Sequence, residues 1–134
     1  MARFDGLDHP PDDLARAFTP GEVVRRVVAA VEAGHPAVIP VLPMADTVKQ
    51  VDAAGTVVAT PDRAALRIVQ TPQGFTADVL LRAHASGIQA TDDAGLVERL
   101  GVPVTTVEGH ANAMKITTPF DLAVAEALLT GGTT

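Results

Sequence analysis

Six side chains of types that meet a phosphate stand beside turns in this sequence: Arg16, Thr47, Lys49, Arg63, Thr91 and Lys115. Arginine grips a phosphate with two parallel N–H donors, lysine with a mobile point charge, and threonine with a hydroxyl. Taken singly, each reads as an ordinary solvated residue. Other chemistries are thinner. Ser86 is the only serine and sits in His84-Ala85-Ser86-Gly87, not on a glycine-flanked strand-to-helix elbow, so serine hydrolysis is not expected. His9, His35, His84 and His110 show no i, i+4 pairing, and each reads as a solvated side chain near a turn or helix end. Asp92-Asp93 reads as a helix cap rather than a metal pair. There is no cysteine, which removes disulfides, thiolate zinc sites and thiol nucleophiles together. No two glycines flank a single residue, so neither a P-loop nor a dinucleotide fingerprint is present.

Composition narrows the setting for these residues. The chain has 134 residues, 47% of them apolar and 19% charged, which suits one globular domain with an ordinary core. Ten basic against sixteen acidic residues give a net charge of −6. With no Trp, no Tyr and four Phe there are few platforms for stacking bases, so nucleic-acid binding is not expected. A phosphorylated small molecule remains compatible, since it needs only a few placed cations and N–H groups. Residues 37–45 form the longest apolar run and contain Pro40 and Pro43, whereas a spanning helix needs about 20 apolar residues. No secretory signal opens the chain, and cytoplasmic residence is the expectation.

The elements that must position these groups follow from periodicity. Residues 1–11 read as an extended or mobile arm, and 131–134 as a flexible tail. Thr19-Pro20-Gly21-Glu22 predicts a capped helix start, with Val23, Val27, Ala30 and Val31 on one face and Gly34 as the stop. Residues 36–43 predict a strand covered on both faces of a mostly parallel sheet. Residues 47–51 and 56–60 flank Asp52-Ala53-Ala54-Gly55 and predict a hairpin, too lean to be stable unless it lies on the domain or on another chain. Strands are predicted over 66–70, 102–107 and 113–117, and helices over 76–85 (Val79, Leu80 and Ala83 inward) and 92–100. A last helix opens at Thr118-Pro119 and should bury Leu122, Ala125, Leu128 and Leu129. The sum is an α/β fold with helices on both faces of a sheet and a protruding hairpin.

In order, several words resemble the 2-C-methyl-D-erythritol 4-phosphate cytidylyltransferase family. They are Asp13-Leu14-Ala15-Arg16, Pro43-Met44-Ala45-Asp46-Thr47-Val48-Lys49, Thr60-Pro61-Asp62-Arg63, Gln70-Thr71-Pro72-Gln73-Gly74-Phe75, Thr91-Asp92-Asp93, and Lys115-Ile116-Thr117-Thr118-Pro119-Phe120-Asp121-Leu122. The resemblance implies a partial Rossmann-like nucleotidyltransferase sheet over 12–130. It implies transfer of CMP from CTP to a sugar-alcohol phosphate, with Mg2+ and pyrophosphate release, in non-mevalonate isoprenoid synthesis.

By the same resemblance, Lys115 neutralises the charge of the reacting phosphate, and Asp13 and Arg16 lie on the nucleotide side, Asp13 also facing the metal. The hairpin over 47–60 implies a homodimer arm, with Thr47 and Arg63 holding the acceptor phosphate in the partner subunit's site and Thr91 adding another acceptor contact. The sequence departs from the family pattern at Asp12 and Leu14, around a word that usually starts His-Asp-Ala, and at Asn112, where many members carry an acid. It also lacks the family's N-terminal glycine-rich loop. The expectation is therefore a C-terminal portion, inactive alone, whose exposed sheet edge is sticky or covered by residues 1–11. A ribitol-phosphate cytidylyltransferase portion and a non-catalytic dimerisation module are the alternatives.

Overall fold

A computed structural model describes residues 2–4 and 18–130. In chain order the elements are β1 (Ala2–Phe4), α1 (Gly21–Glu32), β2 (Ala37–Pro43), β3 (Gln50–Val51), β4 (Val57–Ala59), β5 (Arg67–Val69), β6 (Gly74–Thr76), α2 (Ala77–Ala85), α3 (Asp93–Arg99), β7 (Thr105–Glu108) and α4 (Pro119–Thr130). Single 3-10 turns occupy Arg63–Ala65 and Ala111–Ala113.

The apolar run of β2 is the spine of the sheet. Along one edge it pairs in parallel with β7, from Val38 opposite Thr105 to Val41 opposite Glu108. Along the other it pairs antiparallel with β6 near its start and with β5 near its end. β1 pairs antiparallel with the far side of β6. The sheet is thus mixed, not mostly parallel. The chain leaves β2 through the hairpin and turns straight back beside it, which forces β5 to run the opposite way; only β7, reached through two helices, returns in parallel.

Alternation along β2 divides two cores, as a strand covered on both faces requires. Ala37 joins Phe75, Val79, Ala83, Ala94 and Val97 beneath α2 and α3, with Ile39 and Leu80 at the margin. Val38 points the other way, toward Val27 and Val31 of α1, with Ala30 and Val107 beside them. The buried valine face of α1 matches its periodicity, but its first turn differs from the prediction. The helix begins at Gly21 with Pro20 as the extended capping residue, and the Val23 amide donates to the Pro20 carbonyl, so Thr19 is not the cap.

Two further predictions fail near the C-terminus. Residues 113–117 form no strand; a 3-10 turn ends at Ala113 and the chain runs irregularly to α4. In α4 only Ala125 of the predicted stripe is buried, Leu128 is half-buried, and Leu122 and Leu129 are 52% and 68% exposed. Apolar residues surround this helix on most sides, so periodicity could not select the face that packs. Its start is well specified. Thr118 Oγ1 accepts from the Asp121 amide, while Asp121 Oδ2 accepts from the Thr117 and Thr118 amides. Among the described residues no helix is long and apolar enough to cross a membrane.

Candidate functional site

A cleft of about 240 Å3 opens where the segment after β5, the start of α3 and the segment before α4 converge. Gln70, Thr71, Gln73, Thr91, Asp92 and Lys115 line it. Thr91 and Lys115, distant in sequence, are thereby brought to one place. Both side chains are exposed at the surface, while the two glutamines are 3% and 2% exposed and form its inner wall.

Gln70 holds the segment that leads to Lys115. Its Oε1 accepts from the His110 amide and its Nε2 donates to the His110 carbonyl, both at 3.0 Å. The Gly109 amide donates to the Val41 carbonyl at 2.8 Å. A Cβ on Gly109 would collide with Gln70 Oε1 and press on the Val41 carbonyl, so close approach is what requires glycine here. From the opposite side, Arg26 of α1 donates to the Glu108 and Gly109 carbonyls at 2.8 and 3.2 Å. Glu22 stands 3.8 Å from both Arg26 and His110 Nε2. The backbone entering the Lys115 segment is therefore pinned by α1, β2 and Gln70 together.

Gln73 holds the other wall. Its Nε2 donates to Asp92 Oδ2 at 3.1 Å, and Asp92 Oδ1 accepts from the Gly95 amide at 2.7 Å to cap α3. Of Thr91 and Asp92, the two capping residues that the sequence allows, Asp92 is the cap. Asp93 takes another role: it is buried, and its Oδ1 lies 3.0 Å from His84 Nε2. The described histidines keep access to solvent, as the sequence predicts, His84 at 53% and His110 at 38% side-chain exposure, and each also has a partner. His110 Nδ1 accepts from the Asn112 amide and His35 Nδ1 bonds Thr105 Oγ1, so all three described histidines have protein partners. His9 lies outside the described residues.

The remaining predicted site residues separate into two groups. Asp13 and Arg16 lie outside the described residues. Thr47 and Arg63 belong to the base of the hairpin and do not line the cleft. Arg63 donates to the Ala45 carbonyl at 2.9 Å, which ties its guanidinium to the irregular segment leading to Thr47. The hairpin itself is stapled locally. Asp52 Oδ1 accepts from the Ala54 and Thr56 amides, Gly55 takes φ +84°, and Lys49 donates to Thr60 Oγ1. Its paired strands are shorter than predicted, and residues 49–60 are exposed throughout.

Sequence reasoning missed the part played by Gln70, Thr71 and Gln73. The signal was a polar word between apolar runs, Gln70-Thr71-Pro72-Gln73, but nothing local distinguishes a buried amide from a solvated one. A second, shallower depression of about 530 Å3 shares Thr91 and carries Glu98 and Arg99 together.

The mixed sheet covered by helices is an α/β frame shared with solved structures of cytidylyltransferases. Among solved structures, 2-C-methyl-D-erythritol 4-phosphate cytidylyltransferase from Thermus thermophilus superimposes with TM-score 0.76 at 45% identity, covering 87% of this chain and 58% of that one. The family model for IspD, 2-C-methyl-D-erythritol 4-phosphate cytidylyltransferase, matches residues 11–131, and the chain belongs to that family. The cytidylyltransferase of Saccharopolyspora erythraea is 68% identical over 118 residues, covering 87% of this chain and 53% of the relative. That of Nocardia farcinica is 64% identical over 131 residues, covering 92% and 57%. The chain spans about half the length of these curated relatives.

Proposed function

We propose that this chain carries the acceptor-side and charge-neutralising portion of an enzyme that transfers CMP from CTP to 2-C-methyl-D-erythritol 4-phosphate. The observation that carries the reading is the meeting of Thr91 and Lys115 at one cleft, with Gln70 holding the backbone at His110 and Gln73 holding the Asp92 carboxylate. In this reaction an oxygen of the acceptor phosphate forms a bond to the α-phosphorus of CTP as the bond to the pyrophosphate oxygen breaks. Charge builds on the non-bridging oxygens, and the Lys115 ammonium stabilises it most when phosphorus is five-coordinate. Thr91 donates its hydroxyl to the acceptor. Thr47 and Arg63, projecting on the hairpin side, hold the acceptor's phosphate in a second subunit's cleft, which makes the working assembly a homodimer.

Asp13 and Arg16 serve the nucleotide side in this reading. Magnesium, which in such reactions is held by substrate phosphates and one or two carboxylates, would take Asp13 and supply further charge neutralisation at the phosphates. Among the described residues no group of three His, Asp or Glu stands together, and both oxygens of Asp92 are engaged by protein donors. The cytoplasm, where CTP is made, is the proposed location.

The 134 residues contain no glycine loop for a triphosphate and carry a net charge of −6, so they are expected neither to bind CTP tightly nor to release pyrophosphate alone. Joined to the portion of the Saccharopolyspora relative that it does not match, the chain should turn over. Pyrophosphate release with CTP, Mg2+ and methylerythritol phosphate measures both. Turnover by the 134 residues alone, with micromolar CTP affinity, would show that the nucleotide site is built from other residues.

A further inference from the structure

Gln73 has a feature that the charge-neutralising chemistry does not use. The residue is 2% exposed, and the orientation of its carboxamide is fixed because only the NH2 end can face the Asp92 carboxylate. Turning the amide over would set an acceptor against an acceptor. The other end, Oε1, is therefore committed as an acceptor, and it is the one fully buried side-chain polar atom among the described residues with no hydrogen-bond partner. An acceptor left unpaired in the wall of a cleft is destabilising unless something that enters the cleft satisfies it. Lys115 and Thr91 at the same cleft supply the features that suit a phosphate; a neutral oxygen acceptor beside them suits an O–H group.

We propose that Gln73 determines acceptor specificity by accepting a hydrogen bond at Oε1 from a hydroxyl of a phosphorylated polyol bound in the cleft. This rests on the acceptor-side reading above and adds to it the group that recognises the polyol rather than its phosphate. Asp92 acts through Gln73 here: it holds the NH2 end, so that Oε1 cannot swing away when the ligand arrives. A site built to receive a hydroxyl discriminates strongly against an analogue that lacks it, because the buried acceptor is then left unpaired again.

The experiment is a titration of the 134-residue chain with methylerythritol phosphate, propyl phosphate and inorganic phosphate, followed by calorimetry and by NMR of the glutamine side-chain amides. The polyol phosphate should bind about tenfold more tightly than propyl phosphate. The Gln73 NH2 resonances should shift with the polyol phosphate and stay in place with the other two, a readout that needs no variant. In Gln73→Met, which keeps the length of the side chain, the preference should vanish while affinity for inorganic phosphate is retained. Equal affinity of the unaltered chain for the two organic phosphates overturns the inference, as does an equal loss of all three ligands in Gln73→Met. Binding of none of the three overturns the acceptor-side reading itself, and the inference with it.

Discussion

The hairpin and the cleft stabilise themselves in opposite ways. The hairpin is held by contacts within a dozen residues: an aspartate closing its own turn, a lysine reaching across to a threonine, and two short paired strands. Val51, Val57 and Val58 are all more than half exposed. The cleft is held by bonds between distant segments, Gln70 to His110, Gln73 to Asp92 and Arg26 to Glu108, with the amides out of water. Local stapling fixes a shape that can be presented to another surface. Long-range bonds, two of them part-buried, fix the relative placement of two walls, as the positioning of a ligand requires.

That contrast can be broken from its most sensitive end first. In the chain joined to a relative's missing portion, Lys115→Ala should lower the turnover number about a hundredfold or more, roughly 3 kcal/mol, far more than it weakens acceptor binding. Arg63→Ala should do the reverse and raise the apparent KM of the acceptor, because phosphate positioning acts largely in the ground state. Steady-state kinetics of the two variants separates the roles, and a Lys115→Ala enzyme with near-normal turnover would remove the lysine from the chemistry.

Next in size is the cleft's scaffold. Gly109→Ala should destabilise the fold by about 2 kcal/mol, since its methyl group would meet Gln70 and the Val41 carbonyl, both fixed by other bonds. Urea denaturation reads this directly. An unchanged midpoint would mean that the Gln70 brace yields easily and does not set the Lys115 segment.

Smaller effects belong to α4 and the hairpin. Amides of Thr117 and then the hydroxyl side of Thr118 hold the Asp121 carboxyl below its ordinary pKa. A lowered folded-state pKa gives stability that is present above the ordinary carboxylate range and lost as pH falls through the folded value. The first turn of α4 should therefore fray in acid, seen as lower amide protection factors at residues 120–122, and Asp121→Ala should abolish that pH dependence. The smallest effect on folding is expected from removing residues 48–59. Denaturation midpoints should shift by less than about 0.5 kcal/mol, because nothing in the hairpin is buried. Light scattering should then report monomers where the intact chain gives dimers; an intact chain that is monomeric at high micromolar concentration would count against the arm.

Much of this was legible in the residues. The valine face of α1, the apolar run of β2 and the Asp92 cap are local patterns that packing then used as written. The ordered words placed the chain in its family before any geometry was available. Failures cluster where local pattern is degenerate. Helix α4 is apolar on most sides, so its buried face was open, and the short run over 113–117 has strand-like residues but no strand to pair with.

The sequence by itself determined which residue types are present, where helices and turns begin, and which chemistries are excluded, because these depend on side-chain identity and near neighbours. Tertiary structure alone decided the direction of the strands beside β2, since a hairpin excursion reverses the chain while a helical crossover does not. It alone decided that Thr91 and Lys115 share a cleft and that two glutamines lie behind it. Burial of an amide depends on every segment that closes over it, and no window along the chain contains those segments.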